Sequence, residues 1–132
     1  MYDYNCELIR VVDGDTVDLN VNLGFDIWVK KRVRLYGIDA PESRTRDLEE
    51  KKLGQAATLA LKELLDDAIR FHNGTIRLES KIYERDKFGR VIGVLHLDTT
   101  TEDENSGTTI MTSTVINRWM VQEGHANKTT FD

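Results

Sequence analysis

The sequence predicts an α+β fold, mainly β: a five-stranded OB-type Greek-key barrel with two packed helices, in one domain over residues 1–132. Three observations carry this. Apolar and polar residues alternate cleanly through Val17, Leu19, Val21 and Leu23, the period of a half-buried strand. Apolar residues recur at helical spacing through Leu53, Ala57, Ala60, Leu61, Leu64 and Ala68. The element order is three strands, a helix, two strands and a helix, which suits a small closed barrel with helices packed at its ends.

Residues 6–12 read as the first strand, with Leu8, Ile9, Val11 and Val12 as its apolar content. Asp13-Gly14 is a tight-turn signal and leaves Asp15 at the mouth of the second strand, 17–23. Gly24-Phe25-Asp26 makes the next turn. A third strand, 27–37, returns antiparallel and brings its far end, with Asp39, back towards Asp15. Residues 43–47 form a polar loop. A helix follows over about 48–69, weakened slightly by Gly54, and His72 beside Asn73-Gly74 reads as a cap or turn residue. The fourth strand is 75–82, a charged turn spans 84–90, and the fifth strand is 91–97, with Arg90 at its start. The acidic, threonine-rich residues 98–109 read as a long exposed loop. Ser113 or Thr114 caps a second helix through about residue 123, which Gly124 stops. The tail, 125–132, carries little structural signal.

Composition bounds the function. Hydrophobic residues at 39% and charged residues at 31% describe an ordinary globular protein, and no apolar run reaches the length of a membrane-spanning helix. The N-terminus is acidic and polar, unlike a secretory signal, so a cytoplasmic rather than secreted location is expected, without membrane association and as a monomer. The lone Cys6 has no internal disulfide partner and reads as structural. A formal net charge of −5 argues against a non-specific nucleic-acid coat protein. It leaves room for a local basic site, and Lys30, Lys31, Arg32 and Arg34 do cluster.

The chain is organised around residues 33–42, Val-Arg-Leu-Tyr-Gly-Ile-Asp-Ala-Pro-Glu. It starts as a strand and stops at Pro41, the one proline, which fixes its own φ and pushes Ala40 towards an extended backbone. A stiff turn thus presents Asp39 and Glu42, with Arg34 one strand-length back. Carboxylates beside a guanidinium can hold a hard cation and neutralise a phosphate. Neither paired cysteines nor paired histidines suggest zinc.

Three segments together resemble the staphylococcal nuclease family: Asp13-Gly14-Asp15-Thr16, Arg34 through Glu42, and Asp86-Lys87-Phe88-Gly89-Arg90, with the likeness continuing from Asn117 to Gly124. The resemblance implies an OB-type barrel that hydrolyses DNA and RNA with Ca²⁺. It implies that Asp15 and Asp39 bind the ion by carboxylate and Ala40 by its carbonyl. Glu42 is implied to hold the attacking water, as the candidate base, and Arg34 and Arg90 to grip the scissile phosphate. The substrate is expected to be single-stranded or frayed DNA and/or RNA.

The sequence departs from the family pattern in places. Threonine is usual where Ala40 stands, although only the backbone is needed there. The base-stacking tyrosines after the second helix are replaced by Thr129, Thr130 and Phe131, and the third helix of the family is absent. The 98–109 segment is longer than usual. The alternative function is a non-catalytic OB-type nucleic-acid-binding module. Such a module has no need of Asp15, Asp39 and Glu42, which repel phosphates unless a metal is present. An interaction domain with decorative charges ranks below both.

Overall fold

The computed structural model describes residues 2–85 and 90–129. Strands β1 (Tyr2–Asp13), β2 (Thr16–Asn22) and β3 (Trp28–Leu35) form an antiparallel meander. A two-residue strand β4 (Ile38–Asp39) and helix α1 (Leu48–Phe71) follow, then β5 (Thr75–Arg85), β6 (Val91–Glu102), β7 (Thr109–Val115), helix α2 (Ile116–Gln122) and β8 (Asn127–Lys128). Among the described residues no helix is long and apolar enough to cross a membrane.

Strand β1 is shared. Its first half pairs with β5 from Tyr2↔Ser80 to Cys6↔Ile76, and from Cys6 onward it pairs with β2. Register shifts between Leu8 and Arg10 and between Val11 and Asp13 bend it, as bulges do in small barrels. Closure comes from β3 lying parallel to β6, Val33 opposite Val91 and Leu35 opposite Gly93. The result is the expected closed five-stranded barrel of OB type, with two helices packed on it. The interior is Val17, Leu19 and Val21 of β2, Val33 and Leu35 of β3, Ile76 and Leu78 of β5, and Leu95 and Leu97 of β6, all buried. Burial of such side chains stabilises by roughly 1.5–3 kcal/mol each, an upper bound against a fully exposed chain.

Helix α1 begins where Asp47 accepts hydrogen bonds from the Glu49 and Glu50 amides. It ends at His72, whose N–H donates to the Ala68 carbonyl, with Asn73 left-handed beyond it. Its buried stripe is Gly54, Ala57, Leu61, Leu65 and Ala68. The expected face is therefore rotated slightly: Leu53 is exposed, and Leu64 packs only at the margin.

Four expectations are corrected. The third strand does not run from 27 to 37. It stops at Leu35, and Gly37 turns the chain at φ 77° before β4. Residues 98–109 are not an exposed loop: β6 continues to Glu102 and β7 pairs back along it from Thr109 opposite Glu102 to Val115 opposite His96. Asp103 closes that hairpin, accepting from the Asn105 amide and the Ser106 hydroxyl, which holds its carboxyl below the ordinary range. Ser113 and Thr114 do not cap α2, because both lie in β7 opposite Asp98 and Leu97. The cap is Val115, with no side-chain hydrogen bond. The tail also carries structure, since β8 pairs with β4, Ile38 opposite Lys128 and Asp39 opposite Asn127. The expected charged turn 84–90 falls partly on residues 86–89, and Thr130 and Phe131 fall at 130–132, outside the described residues.

Candidate active site

The β1–β2 turn and the β3–β4 segment meet where α1 crosses them. Gly14 makes that meeting possible: a Cβ there would lie 2.8 Å from the Cβ of Ala57 and 2.9 Å from the Cβ of Ala40. Only a residue without a side chain lets the helix and the Ala40 turn press on this corner. The Asp13-Gly14 pair therefore serves close packing as well as the turn.

Asp15 sits in that corner almost fully buried. A buried carboxylate must be hydrogen-bonded or paired, and Asp15 is both. Its Oδ1 accepts from the Thr16 hydroxyl at 2.9 Å, and its Oδ2 accepts from the Ala40 amide at 2.9 Å. Arg34 Nη1 stands 3.2 Å from Oδ2. The other prong of the same guanidinium, Nη2, donates to Asp39 Oδ1 at 3.2 Å. Arg34 is itself anchored, with Nη1 3.3 Å from the Leu35 carbonyl. One planar guanidinium thus spans two carboxylates, one from the β1–β2 turn and one from β4, Asp15 well buried and Asp39 largely open to solvent.

Ala40 joins the cluster through its amide. Glu42 lies one turn further on, exposed, its amide 3.4 Å from Glu50 Oε1 of α1. Its backbone rests on α1 at Gly54, where a Cβ would lie 2.4 Å from the Glu42 carbonyl carbon and oxygen and 2.6 Å from the Ser43 nitrogen. The next residue, Ser43, donates through its hydroxyl to Asp13, which ties the loop back to the β1–β2 turn. Arg90 lines an open cleft of about 540 Å³ with Asp13, Thr16, Lys31, Arg32 and Arg44. Thr16 is directly opposite Arg34 in the β2–β3 ladder, so the cleft adjoins the carboxylate cluster.

Four of the six residues singled out from the sequence, Asp15, Arg34, Asp39 and Ala40, are therefore in direct mutual contact. Glu42 flanks them at the exposed turn, and Arg90 lines the adjoining cleft. Gly14 and Thr16 stand in the Asp13–Thr16 motif, but nothing in the sequence assigns them a place in the site, and nothing there marks Gly54 for one. Asn117 enters the sequence reading only as the start of the likeness that runs to Gly124. It is buried under the β3–β4 turn, donates to the Tyr36 carbonyl at 2.8 Å, and accepts from the Leu95 amide at 3.0 Å.

The oxygens gathered here are those a hard cation prefers: two carboxylates, beside backbone carbonyls and solvent. Among the described residues no three histidine, cysteine or acidic side chains converge, so a cation here would take those two carboxylates plus backbone and water oxygens.

The family model for the staphylococcal nuclease homologue matches residues 32–132, the stretch carrying Arg34, Asp39, Ala40, Glu42 and Arg90. The chain belongs to the staphylococcal nuclease family. It is 36% identical over 126 residues to a micrococcal nuclease of Shigella flexneri, covering 94% of this chain and 58% of that protein. It is 34% identical over 88 residues to a thermonuclease of Staphylococcus intermedius, covering 67% of this chain and 46% of that one. The chain thus spans about half the length of these relatives.

Proposed function

We propose that this domain is a calcium-dependent nuclease that hydrolyses phosphodiester bonds of DNA and/or RNA by attack of water. The contact that supports this best is the two-pronged Arg34 bridge between Asp15 and Asp39. Two acids and a planar cation held on crossing backbone segments are suited to a divalent ion and a phosphate side by side. The nuclease names of the relatives support the same substrate class.

Asp15, Asp39 and the Ala40 carbonyl would hold the cation. When bound, the ion supplies Lewis-acid stabilisation of the negative charge that grows on the phosphodiester. The remaining roles belong to side chains. Arg34 presents a fork of donors matched to phosphate oxygens, and Arg90, at the adjoining cleft, supplies a second guanidinium. Glu42, exposed at the turn, orients the attacking water and accepts its proton on the carboxylate. The Thr16 hydroxyl and the Ala40 amide hold the Asp15 carboxyl in place, so that little reorganisation is needed when substrate arrives.

The test is cleavage of single-stranded DNA and of RNA with Ca²⁺, with Mg²⁺ and with EDTA. Cleavage with Ca²⁺ that EDTA abolishes is the expected result. Cleavage that persists in EDTA would refute the metal. Binding without cleavage under every condition would leave the non-catalytic module in its place.

A further inference from the structure

The tip of the β2–β3 hairpin is built in an unusual way. Gly24, Phe25 and Asp26 are left-handed in succession, at φ 87°, 56° and 60°. Two of the three are not glycine, and a bulky residue in that region is strained. The turn is closed by the Leu23 amide donating to the Ile27 carbonyl at 2.8 Å and the Ile27 amide donating to the Gly24 carbonyl at 3.0 Å. It holds the Phe25 ring 97% exposed, with Trp28 also exposed at the start of β3. Neither barrel packing nor backbone hydrogen bonding requires a phenyl ring in water at the end of a strained turn.

The strand below the tip leads to the candidate active site. Val33 and Leu35 point into the barrel, so by the period-two rule Trp28, Lys30, Arg32 and Arg34 share its outer face. At about 3.3 Å per residue, Trp28 lies roughly 20 Å from Arg34. Arg32 also lines the cleft that holds Arg90 and Arg44, so the positive face is continuous with the proposed phosphate site. Asp18 is the counter-charge in its path. Arg32 grips it at 2.8 Å and Arg10 at 3.3 Å, which leaves that row net positive and holds the Asp18 carboxyl below its ordinary range. Asp13, which faces Arg32 in that cleft, Glu7 and Asp26 are the other acids nearby, and Asp15 and Asp39 hold the Arg34 end. In a chain of net charge −5 this concentration of cations beside the site is local, not a general property of the surface.

We propose that the outer face of β3 and the hairpin tip form a binding track for single-stranded nucleic acid, running from Arg34 past Arg32 and Lys30 to Trp28 and Phe25. It rests on the nuclease reading and extends it. Phosphates follow the cations, and bases stack on the two exposed aromatic rings. Aromatic platforms beside a cationic groove recognise single strands, because every unpaired base offers a flat face and a duplex hides it. Some six stacked nucleotides, at about 3.4 Å each, span the distance from Arg34 to Trp28.

The test is equilibrium binding of uncleavable phosphorothioate oligonucleotides of ~2 and ~12 nucleotides, single-stranded and duplex. Wild type is expected to prefer the longer single strand. Phe25→Ala should weaken its binding about tenfold and Phe25→Tyr should restore it. Lys30→Ala should lower the slope of log affinity against log salt by about 0.7. Met111→Ala, which removes another largely exposed apolar side chain, on β7, is the control and should change nothing. Equal affinity of Phe25→Ala and wild type for the longer strand overturns the track. So does Phe25-dependent binding to phosphatidylserine vesicles with oligonucleotide binding unaltered. Cleavage by wild type, measured on the same preparations with Ca²⁺, separates the two proposals. Tip-dependent binding without cleavage keeps the track and removes the nuclease reading; cleavage with tip-independent binding does the reverse.

Discussion

Replacing Gly54 by alanine isolates how α1 holds the Glu42 turn. The new methyl would lie 2.4 Å from the carbonyl carbon and oxygen of Glu42 and 2.6 Å from the Ser43 nitrogen. Ordinary contact begins near 3.4 Å, so the turn must retreat by about 1 Å. The obstacle is backbone, not the end of a flexible side chain. Two effects oppose each other in stability. Alanine favours a helix interior over glycine by about 1 kcal/mol, and overpacking costs about 1–3 kcal/mol. The net is a loss of roughly 0–2 kcal/mol, a few degrees in Tm for a domain of this size. Activity should suffer far more, because a 1 Å misplacement of a catalytic group can cost about 10² in rate. Calorimetric melting and single-turnover cleavage of a short DNA strand with saturating Ca²⁺ check both. A variant that melts higher than wild type and cleaves within threefold of its rate would refute the role of Gly54 and the placement of Glu42 against α1.

Arg34→Lys and Arg90→Lys keep the charge and lose the fork, and each should slow cleavage by about 10²–10³; wild-type rates in both would remove the phosphate clamp. Glu42→Gln should slow the chemical step by about 10²–10⁴. Titration calorimetry should find Ca²⁺ binding retained in that variant and severely weakened in Asp39→Ala. Asn117→Ala strands the Leu95 amide and the Tyr36 carbonyl, both of which Asn117 now satisfies. A loss of about 2–4 kcal/mol in denaturant unfolding is expected, and a loss under about 0.5 kcal/mol would show that water replaces the side chain. Burial pushes the Cys6 thiol up to about 11 from 9.0. At pH 9 the folded chain should therefore react with iodoacetamide about fiftyfold more slowly than the unfolded chain. Because the folded value is the higher one, this contribution to stability is complete below pH 9 and is lost as pH rises towards 11.

The sequence by itself determined the elements that bury one face. Val17, Leu19 and Val21 alternate because one side of β2 lies in the core, and Ala57, Leu61 and Ala68 recur because α1 covers it. Asp39 and Glu42 were legible because Pro41 stiffens a local turn. Residues 98–109 were misjudged for the converse reason. The β6–β7 extension buries neither face, so polar residues stand on both and no apolar period marks it; only its β-branched threonines hinted at strand. Tertiary structure alone decided the rest. Asp15 and Arg34 are 19 positions apart, and their 3.2 Å contact depends on strand register and on how far α1 presses into the corner. Gly14 and Gly54 matter through the atoms they would strike, and a sequence states which residue lacks a side chain but not what stands where the side chain would be. The β4–β8 pair has two residues on each side, too short to carry a pattern, and it forms because the chain after α2 is led back past the Asp39 turn.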